Sequence, residues 1–327
     1  MLCAWQYHYG AELIVWLNRE GCMRAAWVRV GIFLLLGYLL FSLGYYAVPW
    51  RYREPLYRVI PSFNRFYMGQ AFAVWRWWDR LGWTGDDVSA RAVGEEGDAV
   101  CVGGEPMGEL ITQVLTNQAY RVGYSDAWRS PLWVAYRLDR VEAFVWGKRP
   151  SSFRVERRVE ERLSAAAFSG SGYDRGHMAP NFGIATRYGR EAQLETFVMS
   201  NIVGQRPWLN RGIWRRLEVD VARSYAQRQE SIWVMTGPVF GEGAEPLDSG
   251  AWVPEACYKI CVDAREDGWR VMAFLMEQTI PPYTRLRSRL VSVDEIERMT
   301  GLDFFPRWPE ELERLMEAEA ASRLWPM

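Results

Sequence analysis

Histidine is nearly absent from this 327-residue chain, which has only His8 and His177. Lysine is equally scarce: all but Lys148 and Lys259 of the 39 Lys and Arg residues are arginine. The five cysteines are Cys3, Cys22, Cys101, Cys257 and Cys261, with no CxxC pair and no histidine beside a cysteine pair. That spacing argues against a Cys and His zinc site. Cys257 and Cys261, four apart in a strand-like run, should share a face as buried small apolar groups. A disulfide to Cys101 stays open, because redox compartment decides it. Net charge is also nearly missing. A formal value of −1 argues against a protein held on nucleic acid by bulk charge. The arginine excess has two readings, a GC-rich coding sequence or selection for bidentate phosphate contacts.

Apolar material is plentiful. Hydrophobic residues make up 49% and aromatic residues 15%, enough for a sizeable core in one large domain or two small ones. Val30 to Val48 runs nineteen residues without a charge, long enough to span a bilayer. Arg24 and Arg29 precede it and Arg51 and Arg53 follow, so flanking charge does not orient it. Pro49, Trp50 and Tyr52 suit an exit at the membrane interface. Three readings compete: a membrane anchor, a cleaved signal peptide with a weak site at Ser42-Leu43-Gly44, and a buried core helix. A start at Met23 would shorten the segment before it. The organisation expected is an N-terminal segment at 1–29, the apolar segment at 30–48, a linker with a short amphipathic helix at 49–110, a globular domain at 111–318 and a tail at 319–327. Thr84 to Pro106, rich in Gly, Asp and Glu, reads as a loop.

From Leu110 the pattern changes. AYRVGYS, LWVAYRL, TFVMSNIV, SIWVMTGPVF, CYKICVDA and RVMAFLMEQ are short runs rich in Val, Ile and aromatics, and read as strands. Leu209 to Gln229 has Ile213, Leu217, Val221 and Tyr225 four apart, which predicts one long helix. A second helix starts in VSVDEIERMTG, with Asp294 as cap or first-turn acid and Gly301 as stop. No internal repeat or low-complexity tract interrupts the pattern. The class is α+β.

His177 lies in SGYDRGHMAPN, two residues after Arg175. It can exchange a proton near neutral pH. On an extended segment Arg175 and His177 project to one side, so a proton acceptor and a planar cation would face one space. That pairing suits an anionic substrate attacked by water. Gly172 and Gly176 would admit a close backbone or polyanion. Read alone, His177 is as well explained as a structural histidine bonded to a backbone carbonyl. Downstream, Asn210 opens the long helix and Glu218 follows eight residues later, within about 80° of the same face. An amide oxygen and a carboxylate there could hold a hard divalent cation directly or through its waters. Taken singly, Asn210 could be a helix cap and Glu218 a solvated surface residue.

Asp174-Arg175-Gly176-His177 resembles the DRGH signature of the DNA/RNA non-specific endonucleases, the sugar-non-specific nucleases of the ββα-metal superfamily, which include endonuclease G. ETFVMSNIVGQ, LNRGIWRRLE, VMTGPVF, VPEACYKICVD and VSVDEIERMTGLDFF resemble its later blocks in order, and PLWVAYRL an early strand. The resemblance covers about Ile111 to Glu317. It implies a ββα-metal nuclease domain with a central antiparallel sheet flanked by helices, here preceded by a hydrophobic helix. It implies a general base at His177, a magnesium ligand at Asn210 (manganese as substitute), a residue orienting the ion's waters at Glu218, a phosphate contact at Arg175 and a supporting polar residue at Asn201. Substrate contacts are expected at Arg175, Asn181, Arg206 and Arg211, with Arg187, Arg190 and Arg215 as further phosphate candidates. Gly204 departs from the family pattern, where proline is common, and so does Asn181, where alanine is common. The activity implied is metal-dependent, sequence-tolerant endonuclease action on DNA and RNA, by a hydrolase outside the cytoplasm, membrane-anchored or exported. Two alternatives stay open: a non-catalytic nucleic-acid-binding module on the same fold, and a phosphodiesterase on a smaller membrane-proximal substrate. Oligomeric state is open, a dimer included. His8 is assigned no role.

Overall fold

The computed structural model describes residues 29–80, 89–90, 100–265 and 268–326. The readings made for His8, Cys3, Cys22 and a start at Met23, and for most of the loop from Thr84 to Pro106, lie outside the described residues. Two compact units divide the chain, residues 1–67 and 68–327.

In the first unit, helix α1 (Arg29–Ala47) is long and apolar enough to cross a membrane by length and composition. Its apolar side chains are exposed, Phe33, Leu34, Leu40 and Leu43 among them. Such a surface has no place in water unless something covers it. Helix α2 (Trp50–Val59) follows Pro49, and helix α3 (Pro61–Arg80) begins with proline, which suits a first helical turn. An aromatic cluster joins these pieces. Tyr45 stacks on Tyr67 at 4.5 Å between ring centroids, and the Arg53 guanidinium lies 4.7 Å from the Tyr45 ring centre.

The second unit is built on an antiparallel sheet. Its strands are β1 (Ser89–Ala90), β2 (Gln113–Thr116), β3 (Tyr120–Ser125) and β4 (Ser130–Asp139), then β7 (Ser231–Val239), β8 (Ala256–Arg265), β9 (Gly268–Glu277) and β10 (Leu290–Val291). The order is β1-β9-β8-β7-β4-β3-β2, with β10 also on β9. Five of the six expected runs are therefore strands of this sheet. β4, β7, β8 and β9 are buried on both faces over most of their length, so the sheet is a middle layer.

One face carries Trp133, Met235, Tyr258, Ile260, Val262 and Val271 against helices α7 (Val293–Thr300) and α8 (Glu310–Glu317), which add Val293, Ile296, Leu312 and Met316. Each such side chain contributes about 1.5–3 kcal/mol on burial. Ser292 caps α7, its Oγ accepting from the Glu295 backbone at 3.2 Å, so Asp294 is a first-turn acid. Gly301 ends α7 at φ 68°. Strand alternation sends Cys257, Lys259 and Cys261 to the other face. Cys101 packs on the first face, across the sheet from Cys257 and Cys261, and all three are buried.

The other face supports a smaller substructure. β5 (Asp174–His177) pairs antiparallel with β6 (Ile202–Gln205), His177 opposite Ile202 and Asp174 opposite Gln205. Helix α4 (Asn181–Glu195) connects them, and a helical run from Leu209 to Arg228 follows β6. Two expectations are corrected here. TFVMSNIV is a strand only from Ile202 onward, because Met199–Asn201 forms a tight 3₁₀ turn. The long helix is not uniform either. A wide-turn segment, Leu209–Trp214, leads into α5 (Arg215–Asp220), a second wide segment (Val221–Tyr225) and α6 (Ala226–Arg228). Gly212 stands outside helical angles at φ −100°, ψ −115°. A Cβ there would lie 2.8 Å from Pro282 Cβ, so close contact with that proline requires glycine. Counting 100° per residue from Asn210 to Glu218 therefore does not describe this helix.

Candidate active site

His177 ends β5 at 8% exposure, wedged between two phenylalanines. Phe197 meets the imidazole edge-on at 4.7 Å, and Phe153 lies at 5.5 Å. Phe153 also lies 5.4 Å from the Arg175 guanidinium, so one ring touches both residues and the alternation argument for a shared side holds. Burial, and then the neighbouring Arg149 charge, push the His177 pKa down to about 3. The imidazole is therefore neutral across the physiological range. A hydrogen bond with the Arg175 backbone engages the ring, while Nε2 is buried with no partner among the described residues. A neutral imidazole with one nitrogen engaged and the other free can accept a proton.

The flanking chain is held by Asn201, which is fully buried. Its Oδ1 accepts from the Ala179 backbone at 2.8 Å, and its Nδ2 donates to the carbonyls of Ala179 and Thr196 at 3.0 Å. Met178 N–H donates to the Asn201 carbonyl at 3.0 Å. The whole amide is used on backbone, so Asn201 positions the residues after His177. Gly176 is needed for packing. A Cβ there would sit 2.2 Å from the Gln205 side-chain oxygen, so the space beside Gly176 holds Gln205 and not the close polyanion expected for it.

Asp174 received no role from the sequence, yet it joins the two halves of the site. It accepts from Asn210 Nδ2 at 3.0 Å and from Arg211 Nε at 2.7 Å, with Arg211 Nη2 on its other oxygen at 2.5 Å. The Asn210 amide nitrogen is thereby committed, and its oxygen is the end left open to a cation. Arg211 is half exposed and pairs with Asp174 in a two-pronged contact.

Glu218 lies on α5. Its Oε1 is out of water with no partner among the described residues. Burial raises its pKa to about 7, opposed chiefly by the charge of Lys259. Lys259, one of the two lysines, is fully buried. It donates to Thr236 Oγ1 at 3.2 Å and Tyr136 Oη at 3.3 Å, and its Nζ sits 4.6 Å from the Trp214 ring centre. Arg149, also unassigned from sequence, acts on both His177 and Glu218 by charge and lies 5.0 Å from the Phe197 ring. Arg149 and Lys259 carry no signal by spacing. Only the scarcity of lysine could have drawn attention to Lys259.

The remaining expected contacts differ in kind. Arg175 donates from Nε to the Ala165 carbonyl and from Nη2 to Ser169 Oγ, both at 2.8 Å. Arg206 stacks at 4.6 Å from Tyr173 and 5.4 Å from Trp208. Asn181 begins α4, its Oδ1 accepting from Gln193 Nε2 at 3.0 Å. Arg187 is tied to the carbonyls of Asp139 and Ala222 and Arg190 to that of Lys148, while Arg215 is exposed. The oxygen of Asn210 and the buried oxygen of Glu218 suit a hard divalent cation, which takes oxygen ligands and keeps waters.

A family model described as DNA/RNA non-specific endonuclease matches residues 106–311. A nuclease of Nostoc sp. is 28% identical over 237 residues, covering 66% of this chain and 84% of that protein. Mitochondrial nuclease EXOG of Mus musculus is 30% identical over 223 residues, covering 62% of this chain, which spans 59% of that protein's length. Human mitochondrial endonuclease G is 29% identical over 217 residues, covering 60% of this chain and 70% of its own. In a solved EndoG/EndoGI complex, one chain is similar with a TM-score of 0.54 and 25% identity, over 61% of this chain and 88% of that one.

Proposed function

The chain belongs to the DNA/RNA non-specific endonuclease family, and from that premise we propose that it is a metal-dependent, sequence-tolerant endonuclease cleaving phosphodiester bonds of DNA and RNA. One observation carries the reading. A neutral His177 with a free Nε2 shares a substructure with an Asn210 whose amide nitrogen is already committed to Asp174.

In this reading His177 Nε2 takes a proton from water as it attacks phosphorus, a contribution typically of about 10² to 10⁴ in rate. Asn210 would hold magnesium, or manganese in its place, through its oxygen, with Glu218 facing the ion's waters. When bound, the ion supplies positive charge to the phosphate and the leaving oxygen. Asp174 keeps the Asn210 oxygen turned outward. Arg149 and Arg175 hold the phosphate, and Arg175 uses the donors left after its two loop contacts. Asn181, Arg206 and Arg211 serve the flanking strand. Phosphate contacts position a substrate without reading its sequence, and these groups need no 2′-hydroxyl, so both nucleic acids are substrates. In the same reading helix α1 is an anchor or an export signal, and the catalytic unit works outside the cytoplasm, held at a membrane or released.

The test is plasmid and RNA degradation by the protein with magnesium, with chelator, and as His177→Ala. Loss of turnover in the last two is expected. Equal activity in the variant would sink the mechanism, and full activity in chelator would remove the metal.

A further inference from the structure

On the sheet face opposite Lys259, α7 and α8 carry a group of acids that the proposed chemistry does not use. Asp294 and Glu297 stand three apart on α7, and Glu317 closes α8. A carboxylate oxygen of each lies within 4.8 Å of one in each of the others. Glu317 is 6% exposed, and its Oε1 is out of water with no partner among the described residues. Asp303, between the helices, has a second such oxygen, Oδ1. Glu297 Oε1 accepts from the Phe304 N–H at 2.9 Å. The charges acting most on Glu317 come from Glu297, Glu313, Asp294 and Asp303, all acids.

Like charges set this close around a buried carboxylate need relief, from protons or from a cation. Without a cation, burial and then the neighbouring acids push the Glu317 carboxyl upward, and burial above all does the same to Glu297. The ligand set favours a particular ion. Three carboxylates from the protein suit Ca²⁺, which takes six to eight oxygens in a flexible shell, whereas Mg²⁺ is usually held through one or two carboxylates and keeps most of its waters. Asp294 is exposed, so waters can complete the shell. We propose that Asp294, Glu297 and Glu317 form a calcium site that clamps α7 to α8 behind the sheet, separate from the active site.

The experiment uses the full chain as Asn210→Ala, so that the proposed catalytic ion is removed from the readout. Millimolar CaCl₂ should raise its melting temperature, and MgCl₂ at the same concentration should raise it less. Adding Glu317→Gln should abolish the calcium-dependent rise. Should that variant not fold, Asp294→Asn at the exposed edge decides. By calorimetric titration with CaCl₂ it should bind at least about tenfold more weakly, because affinity follows ligand charge. No calcium-dependent rise in Asn210→Ala, or a rise and affinity unchanged by Glu317→Gln and Asp294→Asn, would overturn the proposal. Neither result depends on nuclease activity.

Discussion

Asp174 Oδ2 accepts a hydrogen bond from Asn210 Nδ2 at 3.0 Å. An asparagine amide has two similar ends, and this contact decides which end is free. The first residue of the DRGH block thus reaches across to the first turn of the helical run and leaves the Asn210 oxygen as the end open to the proposed ion.

Replacing Asp174 by Asn keeps the shape and removes the charge, and also frees Arg211 from its two-pronged contact. Residues that orient a metal ligand are typically worth about 10- to 100-fold. Asp174→Asn should raise the magnesium concentration needed for half-maximal plasmid nicking by that order. An unchanged magnesium dependence would show that Asn210 orients itself.

Lys259 is expected to act on Glu218 through charge. Its loss removes the strongest influence holding the Glu218 pKa down. Lys259→Met should therefore move the acid limb of the pH–rate profile upward. It also strips donors from Tyr136 and Thr236, at a cost of about 1–3 kcal/mol in stability. A lower melting temperature with an unmoved pH profile would limit Lys259 to a structural role.

Metal-free stability should depend on pH in two opposite ways. His177 has a folded pKa near 3 against 6.5 unfolded. The stability it contributes is complete above 6.5 and is lost as pH falls through that window. Glu218 has a folded pKa near 7 against 4.5, so its contribution is complete below 4.5 and is lost as pH rises toward 7 and beyond. Melting curves in chelator should show His177→Gln flattening the acid side and Glu218→Gln flattening the neutral side. The reverse assignment would contradict the burial described.

Gly176→Ala puts a Cβ 2.2 Å from the Gln205 side-chain oxygen, inside the pairing that carries His177. Overpacking of this kind costs about 1–3 kcal/mol. Activity should fall with stability, and Gln205→Ala in the same chain should restore part of both. Wild-type stability in Gly176→Ala would mean that β5 and β6 part without cost.

Five of the eight strands of the sheet were legible in sequence because their β-branched and aromatic runs are local signals, whereas β1, β2 and β10, only two to four residues long, carry too little pattern to show. The apolar helix and the cap and stop of α7 were legible for the same reason. The DRGH block, with Asn201, Asn210 and Glu218 in order, made the family legible. What the sequence could not carry were relations between distant segments. Asp174 meets Asn210 only because β5 pairs with β6, which leads into the helical run that carries Asn210. Arg149 is set beside His177 and Glu218 by a loop without periodicity. Gly212, pressed on Pro282, breaks the regular helix that its apolar spacing had suggested. Lys259 was visible as a scarce residue, but only strand alternation and the packing of Trp214 put its charge beneath Glu218. Local patterning determined the elements. Long-range packing decided which buried polar atoms were left free, and the proposed chemistry depends on those atoms.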